Sequence, residues 1–346
     1  MTQSRSSTRN GSPTLADVAM TAGVSPTTAS FVLNDTPGQK ISQATRERVL
    51  EAARVLRYKP NASARALARG HTNEIAVILF ETLYLTGLLD WITATQVRAL
   101  DLGYSPGIYL FQGASRRSIR TFIDGVLERR PVGIISESPY FTKADLARAK
   151  DRGVRGCVVT GLEPAGSRAV YEGLFKEAGQ LVGGHLVERE HHQVAYVKPM
   201  STTATVRAGW SQCIKELKRT AGQGKVNLIE CPMDTGLEGA RAAVVRLLAL
   251  PVRPTAIMAF TDEYSLPLLK ALLERGIRVP EEIAVVGVAG TYLCSLVHPG
   301  LTTVQFDLIT VASNFVDVVN ALIHNEQPSP ELFVPPPPQL IIRESS

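Results

Sequence analysis

Between Thr14 and Leu56 apolar residues return every three or four positions in three short bursts, the spacing of helices that each bury one stripe. Leu15, Val18 and Ala19 form the first stripe. Thr14 can cap that helix, Asp17 three residues on completes a box-like pair, and Gly23 ends it. Ser25 caps a second helix, with Pro26 in the first turn where no amide hydrogen is needed, and this helix runs through Thr27, Thr28, Ala29, Ser30, Phe31, Val32 and Leu33 to Asn34. Two short helices about a glycine turn predict a helix-turn-helix. At about 100° per residue, Ala29, Val32 and Leu33 share one side, and Thr27 and Phe31 point the opposite way. After a loop over 35–41, Ser42 caps a third helix with Val49, Ala52, Ala53 and Leu56 inward and Arg46, Arg48, Arg54 and Arg57 outward.

Pro60 breaks the third helix after Tyr58, and Asn61 can cap a short new segment over 61–70, NASARALARG, whose one large apolar side chain is Leu67. So short a helix is marginal alone and would form when two copies pair. From Ile75 the pattern changes. Apolar runs at 75–80, 133–135, 157–159, 194–197, 257–260 and 283–288 alternate with longer amphipathic stretches, predicting parallel sheets with crossover helices. With 346 residues the chain exceeds one core and calls for a head on a two-lobed body. The stretch 333–339, with four consecutive prolines, reads as an exposed extended strap.

Charge gives the head a task. Residues 1–70 hold ten Lys and Arg against four Asp and Glu, a net of +6, and the remainder of the chain carries −1. A basic head on a neutral body is the footprint of a nucleic-acid-binding module, so the face of Thr27 and Phe31 is expected in a major groove. Leu67 is either a wedge between base steps of the minor groove or part of a helical linker that touches no DNA. No run of about 18 apolar residues is present, and residues 1–13 lack a signal-type apolar stretch, so a cytoplasmic location without membrane contact is expected. Cys157, Cys213, Cys231 and Cys294 lie far apart and read as reduced packing residues, neither metal cluster nor disulfide frame. The six histidines form no catalytic or metal motif, and neither GxGxxG after a strand nor GxxxxGK occurs; no enzyme, metal or cofactor is expected. An exported solute-binding protein would lack the basic head. A sequence-tolerant chromatin-like protein is the stronger rival, because the outer face of the second helix is chemically poor.

The runs TLADVAMTAGVSPTTASFVLN and TRERVLEAARVLRYKPNASARALARGHTNEIAVIL resemble the LacI/GalR family of bacterial regulators, and the resemblance continues through HLVEREHHQVAYV and PTAIMAFTDEYSLPLLKALLERGIRVPEEIAVVGV to LIIRESS. It implies a tail over 1–13, an all-α helix-turn-helix head over 14–60, a hinge helix over 61–70 and an α/β periplasmic-binding-protein-like core over 71–346. Lobe one of that core would span about 71–160 and 292–325, and lobe two about 161–291 and 326–346. It also implies a homodimer, or a dimer of dimers, on a pseudo-palindromic double-stranded DNA operator; no clear heptad tail follows, which favours the dimer. DNA contacts would come from Thr14, Leu15, Ser25, Pro26, Thr27, Thr28, Ser30, Phe31, Asn34, Tyr58, Asn61, Ala64 and Leu67. A small-molecule effector would sit between the lobes, near the carboxyl ends of the strands, against Tyr84, Val206, Arg207, Trp210, Thr261, Asp262, Ala289 and Phe306.

The chain departs from the family where sugars are usually held. The aromatic-rich Asn-Pro motif after the first strand is replaced by residues 81–86, the Asp-Asn pair falls on Leu174 and Phe175, the arginine aligns with Val206 while Arg207 comes one residue late, and the aspartate falls on Ala289. A buried sugar hydroxyl without a partner costs about 1 to 3 kcal/mol. The effector is therefore either a more apolar or aromatic molecule, held by residues such as Tyr84, Trp210 and Phe306, or the core has lost sensing and serves dimerisation or a protein partner. Those aromatics could equally be ordinary core.

Overall fold

A computed structural model describes residues 13–34, 38–58, 70–80, 87–111, 116–137, 141–162, 164, 166–200, 204–220, 222 and 226–346. The chain forms two compact units, Met1–Thr72 and Asn73–Ser346.

In the first unit, α1 (Leu15–Ala22), α2 (Pro26–Leu33) and α3 (Gln43–Val55) are cut where their caps lie. Thr14 Oγ1 accepts from the Asp17 amide at 3.3 Å while the Asp17 carboxylate accepts from the Thr14 amide at 2.8 Å, a reciprocal box. Gly23 closes α1 at φ +64°, a left-handed conformation that costs glycine little. Ser25 and Ser42 cap α2 and α3 through the amides of Thr28 and Thr45. The core is small: Val18, Ala19, Ala22, Ala29, Val32, Val49, Ala52 and Ala53 are buried, with Leu15, Leu33, Leu56 and Tyr58 around them. So many alanines let three short helices approach closely.

Among the described residues, the second unit holds two sheets. The first, in the order β2-β1-β3-β4, is parallel throughout: β1 (Glu74–Phe80), β2 (Ser105–Phe111), β3 (Gly133–Glu137) and β4 (Gly156–Thr160). The second, in the order β10-β9-β8-β7-β5-β6, comprises β5 (Gln193–Pro199), β6 (Asn227–Met233), β7 (Ala256–Ala259), β8 (Ala284–Ala289), β9 (Thr302–Gln305) and β10 (Gln339–Ile341), of which only β10 runs antiparallel. The helices between them are α4 (Leu88–Asp101), α5 (Arg116–Glu128), α6 (Lys143–Asp151), α7 (Gly166–Glu188), α8 (Ala204–Thr220), α9 (Gly236–Leu248), α10 (Asp262–Glu274) and α11 (Leu308–Ile323). Separate apolar cores lie on the two faces of the first sheet, and a third surrounds the second sheet. The four cysteines are buried, and none forms a disulfide. Among the described residues, no helix is long and apolar enough to cross a membrane.

Two boundaries and one exposed segment differ from the sequence reading. Residues 292–305 stay with the second lobe, because β9 pairs with β8, and the chain returns to the first lobe only at Phe306, from which α11 packs on β3, β4 and α4. The Thr302 and Thr303 side chains look polar in sequence but are fully buried: Thr302 Oγ1 accepts from the Arg343 amide at 2.9 Å, and Thr303 Oγ1 donates to Asp262 at 2.7 Å. Helix α7 serves both lobes, with Val170 and Leu174 in the core of the first and Ala178, Val182 and Leu186 in that of the second. The proline-rich strap is not free. Phe333 covers Gly166, Pro338 is buried, and the strap lies along α7 over a groove of about 740 Å³.

Candidate DNA-reading face and effector cleft

On α2, Ala29 and Val32 point into the head core, which turns Pro26 and Thr27 outward; both are exposed, and Phe31 is half-buried. The polar neighbours are largely spent on the helix itself. Ser25 Oγ accepts from the Thr28 amide at 3.0 Å and lies 2.9 Å from Thr28 Oγ1. Asn34 Nδ2 donates to the Ser30 carbonyl at 2.9 Å and to Ser30 Oγ at 3.1 Å, closing the far end. Thr14 is held in its capping box, and Leu15 and Tyr58 are half-buried against the core. Asn61, Ala64 and Leu67 lie outside the described residues. Of the arginines on α3, Arg54 pairs with Glu51 at 2.6 Å, while Arg48 remains exposed. The open face of α2 thus carries a proline ring, one hydroxyl and part of a phenyl ring, with no charge.

In the body, aromatic rings gather where the second sheet ends and the chain crosses between lobes. Phe260 follows β7, Phe306 follows β9, Phe175 comes from α7, Trp210 from α8 and Tyr264 from α10. Phe175 stacks on Phe260 with centroids 6.2 Å apart and meets Phe306 edge-on at 5.7 Å; Trp210 and Tyr264 stand edge-on to Phe260 at 5.3 and 6.1 Å. Phe306 packs against the cores of both lobes. These contacts join Trp210 and Phe306, expected from sequence, to Phe175, Phe260 and Tyr264, which were not. The signal for Phe175 was present in its place where the family carries a polar pair.

The expected polar residues fare differently. Asp262 is fully buried; Oδ2 accepts from the Thr291 amide at 2.8 Å and Oδ1 from Thr303 Oγ1 at 2.7 Å, so it clamps the loop after β8 to β9. Burial pushes its pKa up to about 6, outweighing the lowering by these two bonds. Thr261 heads α10 without capping it, and among the described residues its buried hydroxyl has no partner; the Trp210 indole N–H is likewise buried without one. Ala289 holds φ +124° and Gly290 φ +74°, and a Cβ on Gly290 would stand 2.6 Å from Gln305 Cα. An alanine in that region is strained and persists only when its surroundings hold it there. Tyr84 and the side chains of Val206 and Arg207 lie outside what is described.

A capped helix-turn-helix head with a body of two α/β lobes defines a class: DNA-binding transcriptional regulators that carry a periplasmic-binding-protein-like domain. Comparison with known proteins agrees. Residues 14–61 match the bacterial regulatory proteins of the lacI family, and residues 184–346 match the periplasmic binding protein-like domain. The chain is 28% identical over 333 residues to the HTH-type transcriptional repressor PurR of Vibrio cholerae, covering 92% of this chain and 94% of the relative. It is 27% identical over 339 residues to the HTH-type transcriptional regulator GalR of Escherichia coli, covering 96% and 95%. Among solved structures, a lac repressor dimer bound to operator and the anti-inducer ONPF matches with a TM-score of 0.74 at 25% identity, over 97% of this chain and 99% of that one. The chain belongs to the LacI family of bacterial transcriptional regulators, a non-enzymatic family.

Proposed function

We propose that this LacI-family regulator is a repressor that binds a pseudo-palindromic operator as a homodimer, with α2 in the major groove, residues 61–70 as the hinge, and a core that senses a small molecule other than a common sugar. The carrying observation is the outer face of α2: Pro26 and Thr27 are exposed and Phe31 half-exposed, while Ser25, Thr28, Ser30 and Asn34 are occupied in closing the helix ends. Tyr58, Asn61, Ala64 and Leu67 join the interface in this reading. The relatives support it, since PurR is named a transcriptional repressor and the lac repressor is seen as a dimer on operator.

Self-association has a face of its own to draw on. Leu89, Thr93, Val97 and Leu100 form one exposed stripe on α4. Nearby, β2 is the open edge of the first sheet and exposes Leu110. Isolated exposed apolar residues are ordinary, but a stripe beside an open sheet edge supports the reading of an interface here.

Phe31 provides the test. A phenyl ring can pack on a thymine methyl but cannot make the two bonds by which an arginine fork reads guanine, worth about 1 to 3 kcal/mol of discrimination. A selection from randomised operators, run side by side on wild type and Phe31→Arg, should move the preferred half-site from thymine or a permissive base to guanine at one position. Identical preferences would remove position 31 from the reading face, and equal affinity for the selected operator and random duplex at fixed salt would remove the specific-regulator reading.

A further inference from the structure

We infer that the ring-lined junction between the lobes takes a flat, neutral, aromatic molecule bearing a carbonyl-type acceptor. This rests on the core being an effector sensor and names the class of effector. Phe175 and Phe306 meet edge-on at 5.7 Å, and each keeps part of its surface open, whereas Phe260, Trp210 and Tyr264 are buried behind them. Two half-open rings backed by three buried ones make a rigid apolar wall. Aromatic rings prefer such offset and edge-on partners, and each pair adds about 0.5 to 1.5 kcal/mol beyond its buried area.

The polar complement of this wall can donate at two points, an indole N–H and a hydroxyl. The Trp210 indole can only donate, is 6% exposed and has no acceptor among the described residues. The Thr261 hydroxyl, 2% exposed and next to Phe260 in the chain, has no partner among the described residues and is not spent on capping α10. An unmade bond at a buried polar group is costly, so a ligand acceptor placed there recovers energy that a closed apolar core would forfeit. Sugar hydroxyls need acceptors as well as donors. The carboxylate beside these rings, Asp262, has both oxygens taken by Thr291 and Thr303, and β8 ends in Ala289, which has no polar side chain. An anionic ligand is disfavoured for another reason: Asp262 and Glu263 stand in the first turn of α10 beside Thr261. What remains is a neutral acceptor on an aromatic body.

The test uses the full chain and four probes in titration calorimetry: coumarin, naphthalene, benzoate and galactose. Coumarin should bind saturably, and naphthalene, with a similar flat body and no carbonyl, about 5- to 10-fold more weakly, the worth of one buried hydrogen bond. Trp210→Phe keeps a ring and removes the N–H; it should cost coumarin about 10-fold and leave naphthalene nearly unchanged. Should that variant lose its fold, Thr261→Val removes the other donor at constant shape and should weaken coumarin selectively. Trp91→Phe leaves Trp210 as the sole tryptophan, whose emission should move with coumarin and not with galactose. Tighter binding of galactose or benzoate than coumarin, equal affinity for coumarin and naphthalene, or absence of binding by both aromatic probes would overturn the inference. Operator binding without any probe is measured separately, and its failure would strike the regulator reading instead.

Discussion

Replacing Asp262 by asparagine isolates what a buried carboxylate costs this fold. Asp262 is 0% exposed, and its folded pKa of about 6 stands above the ordinary 3.8. A carboxyl raised on folding holds its proton in the folded chain at pH values where the unfolded chain has lost it. Its penalty is therefore complete above pH 6 and is relieved as pH falls from 6 towards 3.8. The gap corresponds to roughly 3 kcal/mol at neutral pH. Asparagine can meet the same partners, its Oδ1 accepting from the Thr291 amide and its Nδ2 donating to Thr303 Oγ1, although turning that buried hydroxyl's hydrogen away offsets part of the gain. Other groups titrate in the same window. Burial lowers the pKa of His185 and of His191, so they destabilise the fold as pH falls through 6.5. Those contributions are common to both proteins and cancel in the difference. Calorimetric melting of the core should show Asp262→Asn more stable than wild type at pH 7.5 by about 2 to 3 kcal/mol, which at this size is about 5 °C. The advantage should shrink steadily by pH 5. A difference that is independent of pH, or one that favours wild type at pH 7.5, would refute the reasoning.

Helix packing sets a second pair of expectations on α7. A Cβ at Gly179 would collide with the backbone carbonyl of Cys213 on α8, so Gly179→Ala should lower core stability by about 1 to 3 kcal/mol, whereas Gly184→Ala, with open space around it, should raise it by about 0.5 to 1 kcal/mol; urea titration ranks the two. In the head, Thr14→Ala opens the capping box and should cost about 1 kcal/mol of head stability, read as faster amide exchange over α1. On α4, Val97→Asp should dissociate the proposed dimer, and light scattering that shows an unchanged mass would remove that stripe from the interface. In the hinge, Leu67→Ala should weaken specific operator binding and DNA bending without changing the melting temperature; an unaltered bend would leave residues 61–70 a linker.

The head could be read because its determinants are local. Thr14 with Asp17, Gly23, Ser25 with Pro26, and Ser42 each act within one turn, so their pattern survives without knowledge of the tertiary fold. Strands buried along their whole length were equally legible: β4, although at an edge, and the central β7 read as apolar runs. Two other edges were not. Strand β2 opens on Ser105, Pro106 and Gly107, and β6 carries Asn227, Glu230 and Pro232, residues that a strand tolerates when one side is unpaired. The late return of the chain at Phe306 was hidden for a different reason: buried Thr302 and Thr303 are matched by partners distant in sequence, Arg343 and Asp262.

The cleft was half legible, and the missing half explains how a ligand there could reach the rest of the molecule. Each of Phe175, Phe260 and Tyr264 sits at a position that local periodicity assigns to ordinary core; only their meeting across three elements makes a wall. Phe306 is the ring with consequences elsewhere. Asp307 directly after it caps α11 through Thr310, and Leu308 packs where a Cβ on Gly87 would stand, at the start of α4. Along its length α11 holds α4 through Arg98 to Asp317 at 2.7 Å and contacts the turn after it through Tyr104 to Asn320 at 2.8 Å. A ligand biases an equilibrium only through contacts that differ between its states. One that displaces Phe306 acts on the first residues of α11, which is tied to α4 and its exposed stripe through the Arg98–Asp317 pair. The ring that closes the cleft and the face proposed for pairing are thus joined by one capped helix.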